Sequence, residues 1–429
     1  MMRCYVVSVL VVGVFSLTAC GGVSNGAFAP RLSAASVRPL SDVLYSFGGS
    51  PDGANPDAGL LAGKKGEYYG TSGGGGSSNC DGGCGTVYEM TAAGKEEVLY
   101  SFQGASDGAY PHSTLIRDKE GALYGDTESG GDADWGTVFK LTPGKQGWTE
   151  SVLHVFQGGS DGLLPAGGLV MTKSGALLGT TEGGGSDDGG VVFELTPSGS
   201  TYSEKVVHSF TGPPDGLTPL AALVSDSRGN LYGTTQEGGA TTFHRHVSRN
   251  GWGAVFKLTP SGSTYTESVI YRFKGASDGE YPPSGLLLGA NGTLYGLTEG
   301  GGGRTGERFG TVFELAPRGS TYRHTVLYSF QGHTDGAYPE DTPGLVADRS
   351  GNLYGTTAYG GTSCDCGTVF KLAPSGSRYT ESVLHAFQGG TGDGLQPRGG
   401  VVIDSKGNLL GPTNQGGLSF FGTIFSVAP

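Results

Sequence analysis

The chain has 429 residues, of which 83 are glycine and 15% are charged, and its formal net charge is −12. Glycine far above the usual ~7%, with no Gly-X-Y period, excludes collagen and points to many tight turns. The acidic balance excludes a uniformly basic face, so no nucleic-acid partner is expected.

In chain order, Arg3 precedes an apolar run from Tyr5 to Leu17, interrupted by Ser8, Gly13 and Ser16. The run is short for a membrane span and has the charge, length and small-residue ending of an export signal. Its close, Leu17-Thr18-Ala19-Cys20, resembles a bacterial lipobox. That resemblance implies a lipoprotein-type signal peptide over residues 1–19, with lipid on Cys20. The alternative is a plain secretory signal in which Cys20 is incidental. A lipid would hold the protein in the cell envelope without a transmembrane helix. Residues 20–40, rich in Gly, Ser and Pro, read as a flexible tether.

From residue 41 onward one repeat dominates. Asp-Gly-x-x-Pro occurs seven times, at Asp52–Pro56, Asp107–Pro111, Asp161–Pro165, Asp215–Pro219, Asp278–Pro282, Asp335–Pro339 and Asp393–Pro397. Each copy follows a strand-like segment ending in Phe, and the period is roughly 57 residues, which suits a blade array. In the sixth copy, Gly344–Asp348, Leu353–Thr357, Gly367–Leu372 and Thr380–Phe387 read as four antiparallel strands. The turns Arg349–Asn352 and Pro374–Ser377 and a Gly-rich loop over Ala358–Cys366 connect them. An aromatic recurs in the third strand at Tyr88, Phe139, Phe193, Phe256, Phe313, Phe370 and Phe425, and is expected to pack between neighbouring sheets.

The ends complement each other. Asp42–Phe47 matches a fourth strand, and Gly422–Val427 matches a third. The seventh unit lacks its last strand and the N-terminus supplies one, which is how a propeller closes its ring. The fold predicted over residues 41–429 is therefore an all-β, seven-bladed β-propeller of four-stranded antiparallel blades.

The repeat wording resembles the bacterial choice-of-anchor tandem repeat GloVer-containing proteins. The resemblance rests on Gly-Asn-Leu-Tyr-Gly-Thr-Thr (229–235, 351–357), Gly-Thr-Val-Phe-Lys-Leu (136–141, 367–372) and Val-Leu-Tyr-Ser-Phe (43–47, 98–102, 326–330). It covers residues 42–429. It implies attachment to the cell surface and no particular activity.

Chemistry needs a departure from the repeat. The seven aspartates are expected to form turns, since Asp accepts backbone N–H bonds and Gly supplies positive φ. Cys80 and Cys84 share one loop and suit a local disulfide, whereas Cys364 and Cys366 are spaced tightly enough to strain a bridge. The two pairs fall in the first and sixth repeats, which are not neighbours in a ring of seven, so no zinc site is expected. Asymmetry shows in the fourth repeat, whose Gly-rich loop is extended through His244, Arg245, His246, Arg249 and Trp252, and in the fifth, which carries Arg304, Glu307 and Arg308. These residues form a candidate basic and aromatic patch for an anionic ligand, against the alternative of a solvated insertion. His244-x-His246 has no evident third ligand, so neither metal nor cofactor is expected. Walker, Gly-x-Ser-x-Gly and His-Glu-x-x-His motifs are absent.

The expected protein is a surface-anchored, monomeric, non-catalytic propeller that binds glycan or protein. The alternatives are a polysaccharide-acting hydrolase or lyase and a structural envelope component. A set of non-repeated carboxylates and bases at the central mouth would favour the enzyme.

Overall fold

The computed structural model describes residues 41–239, 251–303, 308–340, 344–376 and 378–429. They form a seven-bladed β-propeller whose helical content is limited to four three-residue 3₁₀ turns among the described residues. Blade 1 shows the plan: Leu61–Ala62, Glu67–Ser72, Thr86–Thr91 and Glu96–Ser101 pair in sequence order. Blades 2 to 6 repeat it. Blade 7 is built from Val402–Ile403, Leu409–Thr413 and Thr423–Val427, and its fourth strand is Ser41–Ser46. That strand pairs antiparallel with Thr423–Val427, Ser41 opposite Val427 and Ser46 opposite Thr423. The closure expected from the two chain ends is the closure observed.

The blades hold together through aromatic rings placed by glycine. In the second strand a Gly sits directly opposite the third-strand aromatic, as Gly233 opposite Phe256. A Cβ on Gly233 would come within 2.5 Å of Phe256 Cζ, so only glycine lets the ring lie flat across its neighbour. The same ring receives the edge of the Phe that ends the preceding blade. Phe210 meets Phe256 with centroids 5.0 Å apart, Phe102 meets Phe139 at 5.0 Å, and Phe387 meets Phe425 at 5.1 Å. These edge-to-face contacts recur at all seven seams. The core is accordingly seven apolar clusters, one per seam.

The Asp-Gly-x-x-Pro joints perform the turn role expected of them. Asp107 accepts the Gln103 N–H at 2.9 Å, and Asp335 accepts the Gln331 N–H at 2.9 Å. Gly279 holds φ +111, and a Cβ there would press on Thr298 at 2.7 Å. Each joint is also stitched to the Gly-rich loops of both blades it connects. At the joint between blades 4 and 5, Tyr281 N–H donates to Trp252 O, while Glu280 and Gly300 exchange backbone bonds across the next loop. Joints and Gly-rich loops therefore share one face, and the short hairpin turns occupy the other.

Both cysteine pairs are bridged, Cys80 to Cys84 and Cys364 to Cys366. Asp365 takes φ +58, and the flanking Cα atoms lie 5.3 Å apart, within ordinary disulfide reach.

Candidate functional site

Two columns of the repeat vary where their neighbours do not. One is the residue after the joint proline: Asp57, His112, Ala166, Leu220, Pro283, Glu340 and Arg398. The other lies at the end of the second strand or just after it: Gly73, Glu128, Glu182, Gln236, Glu299, Ala358 and Asn414. Their polar members meet although they come from different blades. Arg398, at the joint of blades 6 and 7, lies 3.2 Å from Glu340 of the preceding joint and also feels the charge of Asp57 at the joint of blades 7 and 1. Asn414 of blade 7 donates to Asp57. Gln236 of blade 4 donates to Glu299 of blade 5 at 3.5 Å, and Glu299 feels Arg398 two seams on. Residues of three successive joints approach one another only near the axis of a ring, so these groups surround the mouth of the central channel.

His112 is the most tightly framed of them. Its Nδ1 lies 3.6 Å from Asp57 and its Nε2 3.4 Å from Glu128. Gly73 makes the room: a Cβ there would collide with the imidazole. Burial alone would lower the His112 pKa, but the Asp57 hydrogen bond and charge, with Glu128 and Asp126, carry it above the ordinary value.

Asp126 stands behind His112 and breaks the repeat. In blades 1, 3, 4 and 6 the equivalent residue is Thr71, Thr180, Thr234 or Thr356, whose hydroxyl donates to a backbone carbonyl of the next blade. Asp126 is 1% exposed. Neither carboxyl oxygen makes a hydrogen bond of good geometry, although the Ser113 hydroxyl and Gly168 N–H face it. Burial pushes its pKa up to about 6, against the pull of Ser113, Gly168 and His112. Around the rest of the mouth, burial raises Glu182, with Glu128 adding repulsion. Burial also raises Glu299 and Glu340, and Arg398 offsets part of this at each.

Aromatic side chains share the loop face with this polar ring. Among the described residues, the large apolar side chains exposed on the loop face are Trp135, Tyr338, Leu418, Phe420 and Phe421. Phe309, Tyr338 and Tyr359 meet edge to face at 6.1 and 5.9 Å, and the Tyr359 hydroxyl accepts from Arg398 at 3.5 Å. They make an aromatic path from the rim to the mouth. The residue before each joint proline, including Asn55, Tyr110, Tyr281, Tyr338 and Gln396, has left-handed φ between +52 and +59. Non-glycine residues there carry about 1–2 kcal/mol of local strain each, which the stitched loops hold in place.

Two residues of the expected patch on blades 4 and 5, Trp252 and Arg308, are among those described. Arg308 stacks over Trp252 at 5.2 Å and donates to Glu280 at 3.0 Å. Glu280 is 1% exposed, so much of the Arg308 charge is already compensated. His244, Arg245, His246, Arg249, Arg304 and Glu307 lie outside the described residues, as does Cys20. The sequence reading missed the mouth because its members are isolated residues scattered over several repeats. Alignment of the seven copies on the joint proline would have shown both variable columns.

A cleft of about 760 Å³ lies on the opposite face between blades 2 and 3, lined by Asp118, Lys140, Met171 and Tyr202. A smaller one of about 470 Å³ repeats it between blades 3 and 4. Such clefts follow from the repeat and lack the asymmetry of the mouth.

None of the curated proteins matches the chain. Among solved structures, it resembles a candidate 6-phosphogluconolactonase from Bacteroides uniformis, with TM-score 0.52 and 13% identity over 82% of this chain and 89% of that one. It also resembles PorZ, a bacterial surface component of the type-IX secretion system of Porphyromonas gingivalis, with TM-score 0.50 and 14% identity over 87% of this chain. The chain spans 46% of PorZ. At these identities the likeness is one of fold. Residues 78–245 and 241–429 match the Gloeobacter/Verrucomicrobia repeat.

Proposed function

The chain belongs to the Gloeobacter/Verrucomicrobia repeat family, and we propose that this member is a cell-envelope propeller that binds a glycan across the face bearing the channel mouth. The observation that carries the reading is the meeting, on that face, of exposed aromatic rings with a ring of carboxylates and amides. Aromatic faces suit the C–H faces of sugars, and carboxylates and amides accept or share hydrogen bonds with hydroxyls. Attachment through lipid on Cys20 fits this reading, as does the description of PorZ as a surface component.

The test is a glycan array with the full-length chain, followed by titration of the hits. Replacing Trp135, Phe420 and Phe421 by Ala should weaken the best hit by about tenfold or more. An array without hits overturns the reading. Replacing Cys20 by Ser should move the protein from the membrane to the soluble fraction, and continued sedimentation with membranes overturns the lipid anchor.

One observation favours a second reading, hydrolysis or elimination on a polysaccharide. His112 and Asp126 form a non-repeated acid–base pair at the mouth, with Asp126 standing where blades 1, 3, 4 and 6 place Thr. Turnover of a polysaccharide that ceases in His112→Gln would establish it.

A further inference from the structure

The chemistry of the mouth narrows the ligand. Glu128 and Glu182 stand near each other on blades 2 and 3, and Glu299 and Glu340 near each other on blades 5 and 6. Asp57 and the buried Asp126 add two more carboxyl groups around His112. Two bases face them. Arg398 is already paired with Glu340 and close to Asp57, and His112 is held between Asp57 and Glu128. Tyr359 contributes a hydroxyl beside Arg398. Among the described residues the acids outnumber the bases, and Asp126 is a fully buried carboxyl with no hydrogen bond of good geometry behind the first row. A neutral ligand would leave this excess charge uncompensated.

A small metal ion does not fit the arrangement. Among the described residues, the one His/carboxylate group gathered within reach of a single ion is His208, Asp215 and Glu267, at the seam of blades 3 and 4. That seam repeats elsewhere with Tyr in place of His, as Tyr100 with Asp107, so the group belongs to the joint. The mouth carboxylates are spread around a circle instead. An extended organic cation can reach several of them while its ring faces lie on the aromatic path.

We propose that the glycan received at the mouth is a polymer of free amino sugars, whose ammonium groups are taken by Glu128, Glu182, Glu299 and Glu340. This rests on the glycan reading above and adds the charge of the ligand. An ammonium placed beside Glu182, Glu299 and Glu340, whose pKa values burial raises, favours their ionised form, so binding expels protons. Affinity therefore rises as pH increases from about 5 to about 6.5, where the sugar amine is still charged.

The experiment is isothermal titration of the full-length chain with glucosamine hexamer, N-acetylglucosamine hexamer and cellohexaose, each at about pH 5 and 6.5 in two buffers of different ionisation enthalpy. The expected result is about tenfold preference for the glucosamine hexamer, with proton release and tighter binding at the higher pH. Glu182→Gln with Glu299→Gln should lose about tenfold in that binding while keeping the melting temperature within a few degrees. Equal binding of the neutral oligomers without proton release overturns the amino-sugar assignment and leaves the glycan reading standing. Binding of an oligolysine peptide in place of the glucosamine hexamer overturns the assignment too. No binding of any oligomer, together with an empty array, overturns both.

Discussion

Phe47 meets Tyr88 edge to face with ring centroids 5.2 Å apart, and that contact joins the strand completing blade 7 to the core of blade 1. Both rings are fully buried. Phe47→Ala should cost about 3–5 kcal/mol, and deleting residues 41–47 should cost more by leaving blade 7 with an open edge. Thermal melting of both variants is the check, and an unchanged melt would contradict ring closure by this strand.

The seams carry a pH dependence. Tyr45 donates to Asp52 at 2.8 Å, and Glu96 of the next blade stands beside them. Burial, and then the charge of Asp52, pushes Glu96 up to about 7. Glu150 beside Asp107 and Glu381 beside Asp335 are likewise raised to about 7 by burial and then the neighbouring charge. A raised folded-state pKa contributes stability that is complete below the unfolded value and lost as pH rises through about 7. The protein should therefore melt higher at about pH 5 than at about pH 8.5. These groups are partly exposed, so solvent screening limits each to about 1 kcal/mol. Replacing all three by Gln should flatten the profile; a profile as steep as wild type would remove these seams as its source.

Asp126→Thr should stabilise the fold. The substitution restores the hydroxyl that donates across the seam in blades 1, 3, 4 and 6 and removes a buried carboxyl. A gain of about 1–3 kcal/mol at pH 8 is expected, shrinking below pH 6 where Asp126 is already neutral. Denaturant unfolding at the two pH values measures it. Destabilisation at pH 8 would mean that the carboxyl has a partner in solution.

Gly73→Ala should displace His112 from between Asp57 and Glu128. The His112 titration followed by NMR should move down toward the ordinary imidazole range, with a stability cost of about 1–2 kcal/mol. An unmoved titration would show that the imidazole keeps its partners by another route.

Much of the fold was legible because it is written seven times. The joint aspartates, the glycine opposite each third-strand ring and the matching chain ends each need only local pattern to be read. The mouth was not legible in the same way. Asp57, His112, Glu128 and Arg398 are far apart in sequence, and none has a motif around it. What brings them together is the rotation from blade to blade, which no single repeat contains. The opposite bias affected Trp252 and Arg308. They stand out as departures from the repeat, and they do stack, but their acidic partner Glu280 lies inside a joint that reads as a turn alone.

The pairing of Ser41–Ser46 with Thr423–Val427 also sets an order of events. The first strand of the propeller to be made has no partner until almost the whole remaining chain has arrived. While it waits, its open edge and the ring of Phe47 are exposed, and the last blade is short of a strand. Closure of so large a loop is slow in proportion to the distance it spans. A chain stopped short of residue 423 would keep an unpaired strand at one end and an unfinished blade at the other, the form most prone to join a second chain by exchange of that strand.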